Sequence, residues 1–287
     1  MDLKTWIGAV MRRPAKAMAA SLLAVGLATG AADAAEKFAA LVVFGDSLSD
    51  NGNAGRYSNG PVWVEELGTR LGLQVKPSES GGWNFAIGGA RLDPDSGPTS
   101  LRAQADRYLA RPSQEGRLLH VAFGGGNDVL AAVATHGAER MVDEAAAALK
   151  SILGDLAEYG ATDILVPTIP DVGMTPAMRS RGAPAAAEAR AVTDRFNAAV
   201  DDGLREVSSR YAVRFHRLDV YAMAERARRD PGAFGFVDVT NPCQGLASCE
   251  GYLFWDDVHP TAPAHRRLAD AAFELVSNSG SEETRAP

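Results

Sequence analysis

The chain has 287 residues, 46% of them hydrophobic and 23% charged, and carries a formal net charge of −7. Such a composition excludes a disordered chain and a minimal module, and it supplies enough apolar residues for the core of one large α/β domain. The acidic balance argues against a nucleic-acid or anionic-membrane surface, because such surfaces are built from clustered Lys and Arg.

At the N-terminus, Lys4, Arg12, Arg13 and Lys16 precede the apolar run AMAASLLAVGLA, and TGAADAA follows it. A basic start, a short apolar run and a small-x-small site describe a signal peptide over residues 1–34, cleaved after Ala34. The apolar run falls short of the ~20 residues that a membrane span needs. No stable membrane anchor is therefore expected after cleavage, and the mature chain is expected in the periplasm or the medium. Cleavage removes four of the 29 basic residues and two of the 36 acidic ones, leaving 25 against 34 and a net charge of −9.

Residues 35–287 read as one domain. The apolar run ALVVF predicts a buried strand that enters the polar loop FGDSLSDNGN (44–53), which carries Ser47. PVWVEELGTRLG reads as a helix with Pro61 in its first turn. WNFAI predicts a second strand and PTSLRAQADRYLA a helix. LLHVAF predicts a third strand, followed by alanine-rich helices over 129–159. DILVPTI and VRFHRLDV supply two more strands, separated by a long helix, and AHRRLADAAFELV closes the chain, with about the last ten residues a loose tail. Apolar strands alternating with helices imply a parallel sheet covered on both faces. The expectation is a three-layer α/β/α sandwich with about five strands.

Function in such sheets gathers in the loops past the carboxyl ends of the strands. FGDS, IGGA, FGGGND and TIPDVG all fall there. A serine hydroxyl is a weak nucleophile alone, so acyl transfer needs a base, a group orienting that base and donors for the oxyanion. Ser47 can attack, the Gly88-Gly89 pair can offer an unobstructed backbone N–H, and Asn127 can offer a side-chain amide. In FWDDVHPT, Asp256 stands three residues before His259, and a short turn can aim both at one cleft. Alone, each piece has an ordinary reading as a turn or a helix cap. His120 and His216 fall in predicted strands and read as core or rim residues. His136 and His265 fall on helices and read as solvated.

Cys243 and Cys249 are the two cysteines. In an oxidising compartment two nearby thiols pair, and a disulfide here would stiffen the NPCQGLASCEGY hairpin. A zinc site would need more ligands, and His259 alone lies near. A non-catalytic anion cradle would call for GxxxxGK[ST] or a strand-linked GxGxxG, and neither surrounds these loops.

FGDSLSDNGN, NFAIGGA, FGGGND and FWDDVHPT together resemble the four ordered blocks of the GDSL, or SGNH, hydrolase family, over residues 44–261. The resemblance implies a flavodoxin-like fold with Ser47 as nucleophile and Asp256 and His259 as its partners. It implies an oxyanion hole from the Ser47 N–H, Gly89 and Asn127, and chemistry without metal or cofactor. Asp46 and Asp50 then shape the loop. TIPDVGMTP is similar to an intervening substrate-side loop of the family, although Asp171 replaces a more usual apolar or proline residue. The implied substrates are small-molecule or lipid acyl esters, cleaved by an enzyme of the secreted esterase or (lyso)phospholipase type. A carbohydrate O-deacetylase is the alternative within the same chemistry. GxSxG, the mark of the α/β-hydrolase nucleophile elbow, is absent around Ser47.

Overall fold

The computed structural model describes residues 37–282 other than 93–95, 113, 134, 136 and 137, with side chains up to residue 278. The segment 1–34 read as a signal peptide, and His136, lie outside the described residues. Four parallel strands form the main sheet: β1 (Ala40–Gly45), β2 (Leu118–Phe123), β3 (Asp163–Leu165) and β4 (Arg214–His216), in that spatial order. The β1–β2 register runs from Ala40 opposite Leu118 to Gly45 opposite Phe123. Both strands are buried from their second residue onward, which is why they read as continuous apolar runs rather than alternating ones.

The sheet thus has four regular strands where about five were expected. The predicted second strand, residues 83–87, does lie parallel to β1 along its free edge. Val43 N–H donates to Trp83 O at 2.9 Å, Phe85 N–H to Val43 O at 2.8 Å and Ile87 N–H to Gly45 O at 3.1 Å. Its outer edge is held by the Asn53 side chain, which donates to Asn84 O and Ala86 O at 2.8 Å each, and by the segment 76–78, where Ser78 N–H donates to Asn84 O at 2.7 Å and Asn84 N–H to Lys76 O at 3.1 Å. Counted with this segment, the order is 2-1-3-4-5, the flavodoxin-like arrangement, whose switch point falls between β1 and β2. Ser47 follows the first of these strands and Asn127 the second.

The helices form two groups. α1 (Trp63–Leu71) packs against α8 (Ala262–Glu282). α2 (Leu101–Leu109), α3 (Gly126–Val133), α4 (Ala138–Glu158) and α6 (Ala183–Ser208) pack among themselves, and the short α5 (Pro176–Ser180) lies against α6. Pro61 stands just ahead of α1, whose N-cap is Val62 and whose Glu65 carboxylate accepts the Val62 N–H at 2.9 Å. α7 (Val220–Arg229) follows β4 and is capped by the Asp219 carboxylate, which accepts the Ala222 N–H at 2.8 Å. The C-terminal segment read as a loose tail is helical as far as Glu282.

His265 corrects another expectation. It is buried, not solvated, at 1% exposure. The inner stripe of α8 runs Leu268, Ala269, Ala272 and Val276, and His265 lies one turn before it on the same face. Its Nδ1 accepts the Trp63 backbone N–H at 3.2 Å, which satisfies an orphan donor of the first turn of α1. Burial lowers the His265 pKa to about 3, so the ring is neutral. His120 and His216 are buried in the sheet, the first bonded to Tyr108 Oη at 2.8 Å and the second to the Asp163 carboxylate at 3.1 Å.

Outside the main sheet, β5 (Asp238–Pro242) and β6 (Tyr252–Phe254) form a two-stranded ribbon. The ribbon is parallel, so the NPCQGLASCEGY segment is a crossover loop rather than the hairpin expected. Cys243 and Cys249 are disulfide-bonded within that loop, with Cα atoms 5.1 Å apart.

Candidate active site

The loop after β1 is organised by its acidic and amide side chains. Asp50 is fully buried, and its two oxygens accept the backbone N–H groups of Gly52, Asn53, Ala54 and Gly88 at 2.8–3.1 Å. Asn84 donates to Ser49 O and Asn51 Oδ1, both at 2.8 Å, tying the loop to the segment beside β1. Asp46 accepts the Leu48 N–H at 3.0 Å and stays buried. Burial pushes its carboxyl up to about 6, against the Leu48 hydrogen bond and the attraction of His259. Each of these polar residues satisfies a buried backbone group or another amide, which a loop turning back on a sheet edge requires. Ser47 stands in the middle of this frame with 8% exposure.

Asp256 and His259 come from the turn after β6. Trp255 N–H donates to His259 O at 2.8 Å and Thr261 N–H to Leu253 O at 2.9 Å, so residues 256–258 form the tip of a tight reversal. One oxygen of Asp256 accepts the backbone N–H groups of Val258 at 2.9 Å and His259 at 2.7 Å. The other lies 2.7 Å from His259 Nδ1, and His259 Nε2 lies 2.8 Å from Ser47 Oγ. With the ring proton on Nδ1, the imidazole donates to the carboxylate and accepts the hydroxyl proton of Ser47. Burial raises the Asp256 pKa, but hydrogen bonds from the His259 ring and the two backbone N–H groups outweigh it, and the net shift is downward. The carboxyl is therefore ionised at neutral pH. Asp257 is exposed, and its carbonyl accepts the Ala177 N–H at 2.9 Å.

Two donors come from the loops past the neighbouring strands, the Gly89 N–H and the Asn127 side chain. Ile87 O accepts the Ala90 N–H at 3.1 Å, making a β-turn whose third residue, Gly89, has φ 77°. That left-handed conformation favours glycine. Gly88 is required for a different reason: a Cβ there would lie 2.3 Å from the Tyr57 ring. Because the Gly88 N–H is bonded to Asp50, Gly89 is the member of the pair whose N–H has no partner among the described residues. Asn127, in the first turn of α3, donates one amide hydrogen to Ala90 O at 2.9 Å, and its NH₂ carries a second. The helix N-terminus beneath it adds a favourable field for negative charge.

Tyr57 carries no signal that a reading of the sequence could pick up. Its ring sits 5.2 Å from the His259 ring and covers Gly88, so it walls the cleft between the base and the glycine turn. A lone aromatic in a loop has no periodic pattern to mark it. Asp171 is buried and paired with Arg190 at 2.6 Å, which in turn bonds Glu225 at 2.8 Å. Burial raises the Asp171 pKa and Arg190 opposes that rise. Among the described residues no group of three or more His, Cys, Asp or Glu side chains could hold a metal ion.

A strand-end serine bonded to an imidazole, itself bonded to a carboxylate, thus stands at the switch point of a flavodoxin-like sheet. The GDSL-like Lipase/Acylhydrolase family model matches residues 41–272, and the chain belongs to that family. It is 38% identical to Lipase 1 of Photorhabdus luminescens over 165 residues, 53% of this chain and 25% of the lipase. It is 26% identical to the phosphatidylcholine-sterol acyltransferase of Aeromonas hydrophila over 325 aligned positions, covering 88% of this chain and 95% of that enzyme. The chain thus spans a quarter of the first relative and nearly all of the second. Among solved structures, an acetylxylan esterase of Geobacillus stearothermophilus shares the fold, with a TM-score of 0.51 and 18% identity over 83% of this chain and 93% of that one.

Proposed function

We propose that this protein is an exported serine ester hydrolase that cleaves carboxylic acyl esters, of the esterase or (lyso)phospholipase type. The observation that carries the reading is the continuous hydrogen-bonded path from Ser47 Oγ through His259 to Asp256, with links of 2.8 and 2.7 Å. In this reading Ser47 Oγ attacks the ester carbonyl while His259 Nε2 takes its proton, and Asp256 stabilises the imidazolium so formed. The oxyanion accepts from the Ser47 N–H, the Gly89 N–H and the free amide hydrogen of Asn127. His259 then returns the proton to the departing alcohol. A water molecule, deprotonated by the same imidazole, releases the carboxylic acid and restores Ser47. The basic and apolar N-terminal segment supports export, and the bonded Cys243–Cys249 pair suits an oxidising compartment. Among the described residues no helix is long and apolar enough to cross a membrane.

The test is hydrolysis by the mature protein of a panel of short and long p-nitrophenyl esters, lysophosphatidylcholine and acetylated glycans. Turnover of acyl esters that disappears in Ser47→Ala, at an unchanged melting temperature, is the expected result. Undiminished turnover in Ser47→Ala would assign the attack to another residue, and turnover of acetylated glycans alone would make the enzyme a deacetylase.

A further inference from the structure

Asp171 is 2% exposed, in the loop that leads from β3 to α5. One of its oxygens accepts the Gly173 N–H at 2.8 Å and so caps the 3₁₀ turn Val172–Met174. The other lies 2.6 Å from the Arg190 guanidinium of α6, and the same guanidinium nitrogen lies 2.8 Å from Glu225 of α7. Glu225 is buried as well, and it also accepts from Arg228 at 3.0 Å. Arg190 thus ties the loop to two helices. Buried carboxylates with cationic partners add little net stability over apolar side chains of the same volume, because each charge must first leave water. What such a group supplies is geometry, since a charge-assisted hydrogen bond fixes where its partner lies. The loop so fixed runs into α5. The Thr175 hydroxyl donates to Val172 O at 2.8 Å, and a Cβ on Gly173 would lie 2.1 Å from Ala186 O, so the loop sits directly on α6. Ala177 N–H is an orphan donor of the first turn of α5, and it donates to Asp257 O at 2.9 Å. Asp257 stands between Asp256 and His259.

We propose that Asp171, Arg190 and Glu225 form a positioning network for the turn that carries Asp256 and His259, acting through α5 and the hydrogen bond from Ala177 to Asp257. The inference rests on the ester-hydrolase reading of that turn. The three side chains act at a distance: among the described residues none of them is bonded to Ser47, Asp256 or His259. A reacting group displaced by about 1 Å can cost on the order of 10²-fold in rate, so a loosened turn shows first in kcat. KM stays near its wild-type value, because the network binds no substrate.

The experiment titrates active Ser47 with a fluorophosphonate and measures kcat per titrated site, and KM, on p-nitrophenyl butyrate. Hydrogen exchange over residues 254–260, read by mass spectrometry, follows the turn itself. Arg190→Met should lower kcat per site about tenfold at a KM within about twofold of wild type, and should speed exchange in the turn. Asp171→Asn keeps the oxygen that caps the 3₁₀ turn and loses the charge. It should act in the same direction to a smaller degree, and it is the second reading if Arg190→Met does not fold. Arg190→Lys, whose ammonium can replace the one nitrogen shared by both carboxylates, should keep kcat within about threefold of wild type. Wild-type kcat per site in Arg190→Met and Asp171→Asn, with lost activity explained by fewer titratable sites, would reduce the network to a purely structural one and overturn the proposal. A raised KM at wild-type kcat, or unchanged exchange over residues 254–260, would overturn it as well. Each of these results leaves the hydrolase reading intact, since the wild-type protein still turns over the ester. A wild-type protein with neither turnover nor an adduct on Ser47 would overturn both.

Discussion

The spacing of three between Asp256 and His259 follows from one carboxylate serving three donors. Its first oxygen holds the backbone N–H groups of Val258 and His259, and its second holds the His259 ring. A residue one step later has its side chain in solvent, as Asp257 does. Asp256→Asn should therefore lower kcat strongly, since the amide can present an N–H where the ring needs an acceptor, whereas Asp257→Asn should change kcat by less than about twofold. Steady-state kinetics of the two variants decide this, and a crippled Asp257→Asn beside an active Asp256→Asn would move the carboxylate by one residue. Asn127 is argued from its second amide hydrogen. Asn127→Ala should cost about 10²–10³ in kcat. A raised KM at normal kcat would instead make Asn127 a substrate-binding group.

At the scale of elements, the turn 254–260 is held from behind by the crossover loop. Cys243 N–H donates to Phe254 O at 3.1 Å and Gln244 N–H to Trp255 O at 2.7 Å, so the disulfide-closed loop braces the strand that delivers Asp256 and His259. Closing so short a loop stabilises the fold by about 2 kcal/mol in the chain-entropy view. Reduction should lower the unfolding free energy by that order in urea titrations and lower esterase activity as well. Two freely alkylated thiols in unreduced native protein would contradict the bridge. The elements themselves were largely legible, because buried parallel strands such as β1 and β2 announce themselves as apolar runs of strand length. Of the about five strands expected, residues 83–87 pair with β1 without becoming a regular strand, because the Asn53 side chain and the short segment 76–78 share their outer edge, and that arrangement has no period to read. The ribbon failed as a hairpin because proximity in sequence does not reveal strand direction. His265 was misread although the signal existed: it shares the apolar stripe of Leu268, Ala272 and Val276, and its polarity concealed it.

For the whole molecule, buried titratable groups set the dependence of stability on pH. Burial holds His265 neutral down to about 3 and His120 down to about 4, while both take up protons near 6.5 in the unfolded chain. Burial also lifts Asp46 to about 6, so the folded state binds that proton before the unfolded state does, with the opposite sign. Between about pH 6 and pH 4 the unfolded chain thus binds two protons that the folded chain does not, and the folded chain binds one. Among these three groups the unfolded chain binds the more protons, so they make stability fall on acidification through this window. His265→Gln, which keeps an acceptor for the Trp63 N–H, should remove most of that slope. Urea unfolding at a series of pH values checks it, and an unchanged slope in the variant would show that His265 is not the group responsible. At this scale the four blocks of the site were legible from their order, whereas Tyr57 comes to the His259 ring only where distant segments meet.

In the proposed mechanism Ser47 is an activated nucleophile. Its most direct test is labelling of the mature protein with a fluorophosphonate, followed by intact-mass analysis and peptide mapping. One adduct per chain on the peptide containing Ser47, absent from Ser47→Ala and strongly reduced in His259→Ala, is the expected result. An unlabelled wild-type protein, or an adduct that persists in Ser47→Ala, would contradict it.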